Sequence, residues 1–92
     1  MRFVWDPEKA RANLKKHGVS LEEAQTVFHD EHALEFYDDV HSAWEDRFLL
    51  LGLSSRLRLI LVCHCHREQE NVIRIISARK ATPSEAKHYG KH

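Results

Sequence analysis

No stretch of the 92 residues approaches the roughly 18 consecutive apolar side chains that cross a bilayer. The longest apolar run, Leu59 to Cys63, is strand-sized. The opening Met1-Arg2-Phe3-Val4-Trp5-Asp6 lacks the apolar core and small-residue cleavage site of a secretory leader. Those two absences leave the cytoplasm as the expected location, with no membrane partner. With three glycines and two prolines there is no linker, and no repeat or low-complexity tract interrupts the chain. A chain of this length has room for one core, so residues 1–92 are expected to form a single domain. Two cysteines are few, and Cys63 and Cys65 alternate within one apolar run. Such residues lie about 7 Å apart on a strand, too far for a good disulfide, which predicts free thiols in a reducing compartment.

Net charge is also lacking, and by itself this argues against a strong nucleic-acid binder. Its distribution argues differently. Residues 1–20 sum to +3, residues 21–46 to −9 with no lysine or arginine, and residues 47–92 to +6. Two basic segments thus flank an acidic one. Either the basic ends meet in space as a phosphate-binding face, or the three segments neutralise one another.

What is present is a readable order of elements. A short strand, Arg2 to Trp5, precedes Asp6-Pro7, a helix start with a capping carboxylate and a proline at the first helical position. That helix runs to about Lys16 and stops at Gly18. Ser20-Leu21-Glu22-Glu23 predicts a capping box for a second helix carrying Leu21, Ala24, Val27 and Phe28 on one face. Four strands follow: Ala33 to Asp38, Asp46 to Leu53, Leu57 to His66 and Val72 to Arg79. A polar loop, Asp39 to Ala43, joins the first two, Gly52 to Ser55 predicts a turn, and Arg67 to Asn71 a hairpin loop. Thr82-Pro83-Ser84-Glu85 opens a last helix. The order β-α-α-β-β-β-β-α predicts an α+β fold, an antiparallel sheet packed by N-terminal helices.

Several phrases along this order go together. Phe3-Val4-Trp5-Asp6-Pro7-Glu8-Lys9-Ala10, Asn13-Leu14-Lys15-Lys16-His17-Gly18-Val19-Ser20, Asp39-Val40-His41-Ser42, Glu45-Asp46-Arg47 and Gly52-Leu53-Ser54 lead to Ile73-Arg74-Ile75-Ile76-Ser77-Ala78-Arg79-Lys80-Ala81-Thr82 and Glu85. Over nearly its whole length the chain resembles the BrnT family of type II toxins. The resemblance implies a RelE-like compact domain and an endoribonuclease that cleaves RNA without a metal and without a cofactor. It also implies neutralisation by a BrnA-type antitoxin in a hetero-oligomer, which reaches promoter DNA through the antitoxin. Neutral net charge suits an RNA already presented by the ribosome. A non-catalytic RNA- or protein-binding module is the alternative that the same basic ends allow.

Metal-free RNA cleavage needs a base for the 2′-OH, cations for the scissile phosphate and an acid for the leaving 5′ oxygen. Histidine suits the proton work and arginine the phosphate. The resemblance puts a histidine and an arginine at His64 and Arg67, and makes Arg79 of the closing phrase the best phosphate ligand. Arg47 is the third arginine candidate, with a salt bridge to Glu45, Asp46 or Asp38 as its ordinary role. Further candidates for RNA contact are Lys15, Lys16 and His17 at a helix end, Arg58, Arg74 and Lys80. By alternation, Arg58, Ile60, Val62, His64 and His66 share one strand face, while the wholly apolar Leu57, Leu59, Leu61, Cys63 and Cys65 face should meet the helices. Arg74 and Arg79 have opposite parity, so only a bulge brings them to one side. About 3.3 Å per residue puts Arg79 roughly 20–25 Å from the hairpin loop, which predicts two clusters: His64 with Arg67 and Arg47, and Arg79 with Lys80. His64 and His66 on one face can chelate zinc, but two ligands do not make a site, and no metal is expected. Trp5 is expected to be structural; Trp44, in a polar loop, could also stack on a base.

Overall fold

In the computed structural model, which describes residues 1–67, 69 and 71–90, each expected element is present. They are β1 (Arg2–Val4), α1 (Pro7–His17), α2 (Leu21–Thr26) running into a 3₁₀ turn (Val27–His29), β2 (Leu34–Tyr37), β3 (Phe48–Leu53), β4 (Leu59–Arg67), β5 (Val72–Lys80) and α3 (Pro83–Ala86). Local chemistry sets the helix ends. The Asp6 carboxylate accepts from Glu8 N–H at 2.9 Å, and Gly18, at φ +69°, donates its N–H to Leu14 at 2.9 Å. At α2 only half of the expected capping box forms. Ser20 accepts from Glu23 N–H, but the Glu23 side chain is drawn away to Arg58. Both halves form at Thr82 and Glu85.

The sheet order is β1-β5-β4-β3-β2. The expectation of a purely antiparallel sheet needs one correction: β1 runs parallel to β5, pairing Arg2 with Val72 and Val4 with Arg74. The architecture is nevertheless the α+β one, with α1 and α2 packed on β5. Because β1 covers only three residues of β5, the edge beyond Arg74 needs another partner. Buried Asn13 of α1 supplies it: its amide donates to the carbonyls of Ala78 (2.8 Å) and Val19 (2.9 Å), while Ala78 N–H donates to its oxygen (3.0 Å). A side-chain amide thus stands in for a strand.

The face expected to meet the helices does not. Val19, Leu21, Ala24 and Val27 pack with Leu50, Ile60, Val62, Ile73, Ile75 and Ala78, so the helices cover the Ile60–Val62–His64 side of β4. Gly52 supplies the physical reason. It lies inside β3, paired with Ile60, and a Cβ there would come within 2.9 Å of both Val27 Cγ1 and Ala33 Cβ. The missing side chain lets the 3₁₀ turn press onto that face. The turn expected at Gly52–Ser55 falls later, where Ser54 bonds to Arg58 and Leu57 takes φ +59°. The hairpin loop expected over Arg67–Asn71 includes Glu68 and Glu70, which lie outside the described residues.

One irregularity aims the arginines. Cys63 pairs with Ser77 but His64 pairs with Ile75, so Ile76 is an extra residue in β5. This bulge reverses the alternation, and Arg74, opposite Cys65, and Arg79, opposite Leu61, come to the same side of the sheet.

Candidate active site

On the sheet face away from the helices, a cleft of about 540 Å³ is lined by Lys16, His17, Asp38, His41, Arg47 and Arg79 around a floor of Leu49, Leu61, Cys63 and Ile76. Its walls come from the end of α1, the 38–47 loop, and β3 to β5. The loop is pinned at its neck: Asp38 N–H donates to Arg47 O at 2.9 Å, and Ser42 Oγ donates to Asp38 O and accepts from Arg47 N–H. Within it Asp38, buried, accepts from His41 Nδ1 through both carboxylate oxygens, at 3.0 and 3.2 Å. The His41 ring remains 63% exposed. A buried carboxylate holding one imidazole nitrogen leaves Nε2 as the basic nitrogen, in an oriented ring that reaches solvent.

Three cations face this dyad. Arg79 is held by Glu85 through two parallel bonds of 2.8 Å, and this guanidinium draws the Glu85 carboxyl down to about 2. Arg47 lies 3.5 Å from Glu45, the ion pair that is its ordinary alternative role, yet its Nε–H is buried without a partner among the described residues. Lys16, from the last turn of α1, is the third. Beneath them the Cys63 thiol is raised by burial and then by the Asp38 charge, so it stays protonated and inert.

The structure therefore brings together Arg47, Arg79, Lys16 and His17 of the expected residues, drawing one from each proposed cluster. It separates the others. Arg58 is bound to buried Glu23 through Nε at 2.9 Å and through NH2, and to Gly18 O at 3.0 Å. Arg58 holds the Glu23 carboxyl below its ordinary range against the opposing effect of burial, in a structural ion pair. Arg74 bonds to Glu45 and approaches Cys65 Sγ at 3.7 Å. Arg67 lines a separate depression with Glu45, Asp46, Phe48 and His66. Lys15 and Lys80 are exposed outside the cleft.

His64 is on the other side of the sheet. It has 0% exposure, and Phe28 and Phe48 pack around it. Burial pushes its pKa down, against the raising effect of Glu35. Its Nε2 lies 3.0 Å from Glu35 Oε2, and His66 Nε2 lies 2.9 Å from the same oxygen. Burial pushes the Glu35 carboxyl up, but the two imidazoles outweigh it, and the net shift is downward.

The residues of these clusters that the sequence did not single out are Asp38 as the partner of His41, His41 itself, Glu35, and Glu85 as the partner of Arg79. His41 stood within a phrase already noted for its resemblance, Asp39-Val40-His41-Ser42, but a polar loop has no periodicity to give a side chain direction.

A family model described as "Ribonuclease toxin, BrnT, of type II toxin-antitoxin system" matches residues 5–85. The chain belongs to the BrnT family. The match spans the capped α1, the 38–47 loop and all of β5, and ends on Glu85, so every lining residue of the cleft lies within the family region. Among solved structures, the Brucella abortus ribonuclease toxin BrnT superposes with a TM-score of 0.69 at 24% identity, covering 89% of this chain and 97% of that one, which shows the shared fold. No curated protein matched. Among the described residues no helix is long and apolar enough to cross a membrane.

Proposed function

We propose that this BrnT-family chain is an endoribonuclease toxin that cuts RNA in the cleft between α1, the 38–47 loop and β5. The observation that carries the reading is the convergence there of His41, oriented by buried Asp38, with Lys16, His17, Arg47 and Arg79. His41 Nε2 takes the proton of the 2′-OH, and the 2′ oxygen attacks the adjacent phosphorus. Arg79, Arg47 and Lys16 hold the phosphate oxygens as charge builds on them. The P–O5′ bond breaks, His17 delivers a proton to the departing oxygen, and the products are a 2′,3′-cyclic phosphate and a 5′-hydroxyl. Two imidazoles and three cations supply every group this reaction needs, so the proposed step calls for no metal. His64, fully buried on the opposite face, is not placed to serve as the proton shuttle that the resemblance suggested.

A BrnA-type antitoxin neutralises the activity by covering the cleft in a hetero-oligomer, and any promoter DNA is contacted through the antitoxin. Ribosome-bound RNA is the substrate that best fits a chain of zero net charge.

Induced expression should arrest growth, with rescue by the neighbouring antitoxin gene. In cleavage assays, His41→Ala should lower the rate by about a hundredfold or more with little change in RNA affinity. Arg79→Ala should instead weaken binding and flatten its salt dependence by about one phosphate contact. A folded His41→Ala variant that cleaves at the wild-type rate refutes the assignment. Growth arrest by a wild-type protein that binds RNA without cutting it would establish the non-catalytic module instead.

A further inference from the structure

On the helix-packed side of the sheet, remote from the cleft, Glu35, His64 and His66 bring one carboxylate oxygen and two imidazole nitrogens within 4.8 Å of one another. Their placement follows from register. His64 and His66 alternate on β4, and Glu35 of β2, opposite Leu50, reaches across β3 from the same face. Cys63 and Cys65 point to the other side, so the donor set is two nitrogens and an oxygen.

His64 Nδ1 lies 3.1 Å from the Val62 carbonyl, which can only accept, so the ring's proton sits on Nδ1. A singly protonated ring then presents a lone pair at Nε2, and 3.0 Å away stands Glu35 Oε2, also an acceptor. His66 can donate to that oxygen, and a proton on His64 Nε2 completes the cluster as an ion pair when no cation is bound. A cation shared by the three atoms takes the place of that proton. An imidazole that gives its second N–H to a backbone carbonyl has the usual orientation of a metal ligand.

We propose that Glu35, His64 and His66 form a zinc site of the two-histidine, one-carboxylate type, with a fourth position open to water. Zinc–ligand bonds of about 2.0–2.1 Å set tetrahedral donors about 3.3 Å apart, so the observed 2.9 and 3.0 Å contacts need to open by only a few tenths of an ångström. The rings are braced for it: Phe28 meets His64 edge-on at 4.9 Å, and Phe48 meets His66 at 4.9 Å. Entry is from the β2 edge, where the Glu35 side chain is 41% exposed. The ion cross-links the edge strand β2, paired with β3, to the central strand β4. Its role is therefore to stabilise the fold, separate from RNA cleavage on the opposite face.

The test uses tag-free full-length protein, stripped with a chelator and titrated with Zn²⁺, with Co²⁺ as the spectroscopic probe. One tight equivalent, a rise in Tm with Zn²⁺ and a visible Co²⁺ spectrum of tetrahedral intensity are expected. His66→Ala and Glu35→Gln should each weaken Zn²⁺ binding by at least about tenfold and abolish the Tm response, whereas His29→Ala, on the exposed 3₁₀ turn, should do neither. Nitrogen-15 NMR of the wild type keeps the test independent of whether the variants fold. Zn²⁺ should shift Nε2 of His64 and His66 and leave the His64 Nδ1–H in place. Zn²⁺ affinity unchanged by both substitutions, or ring signals unmoved at saturating Zn²⁺, overturns the site.

Discussion

Arg79 already holds one anion. Glu85 occupies two N–H groups of its guanidinium with 2.8 Å bonds, so the phosphate proposed to bind there competes with a carboxylate that the arginine itself keeps ionised. Because the folded pKa of Glu85 is depressed from 4.5 to about 2, the pair's stabilisation is present above the unfolded value and lost only as pH falls through about 2. Both side chains are partly exposed, and solvent screening keeps it below about 1 kcal/mol. The consequence is for binding rather than stability. Glu85→Gln keeps the cap to Thr82, because an amide oxygen can accept that N–H, but it removes the charge that competes for Arg79. RNA affinity should rise severalfold, with a salt dependence steeper by about one contact, in equilibrium binding at several salt concentrations. Unchanged affinity and slope would mean that Arg79 never leaves Glu85.

Among the elements, the α1–β5 contact has the most at stake in a single side chain. Asn13 is buried and makes three bonds to main chain, two as donor and one as acceptor. In Asn13→Asp the two donors become acceptors facing the carbonyls of Val19 and Ala78. The expected loss is about 2–4 kcal/mol, read as a lower urea midpoint with unchanged slope. A loss below about 0.5 kcal/mol would show that the amide does not hold the unpaired edge of β5. The bulge at Ile76 acts at the same scale: with regular pairing Arg74 and Arg79 would lie on opposite faces, and the cleft would lose its best-held cation.

Across the whole molecule the acidic segment is partly neutralised, and the two basic segments also meet. The acidic segment neutralises part of the last one through Glu23–Arg58, Glu45–Arg74 and Glu45–Arg47, while Lys16 and His17 from the first segment join Arg47 and Arg79 of the last. Beside this basic cleft the 38–47 loop leaves Val40 82% and Trp44 98% exposed, unusual for apolar side chains without a covering partner. An antitoxin that contacts both would hide the cleft. RNA and antitoxin should therefore compete in a fluorescence binding assay, and Trp44→Ala should weaken the antitoxin more than the RNA. A ternary complex with full RNA affinity would contradict this.

The family, the helix boundaries and the element order were legible in the sequence because caps, glycine stops and alternation are local chemistry: Asp6-Pro7, Gly18 and Thr82-Pro83-Ser84-Glu85 each act within a turn of where they stand. Arg79 and Arg47 were legible as candidates for the same reason, being arginines at strand ends in recognisable phrases. Which way they pointed was not. The side of β4 that meets the helices depends on a missing Cβ at Gly52, whereas alternation along β4 pointed to the opposite face, and the extra residue at Ile76 shows only in pairing with Cys63 and His64. His41 became meaningful once Asp38 was seen bound to it, and the His64–His66 pair once Glu35 arrived from another strand. Those are contacts across the chain, made by packing and register, and the tertiary structure alone decided them.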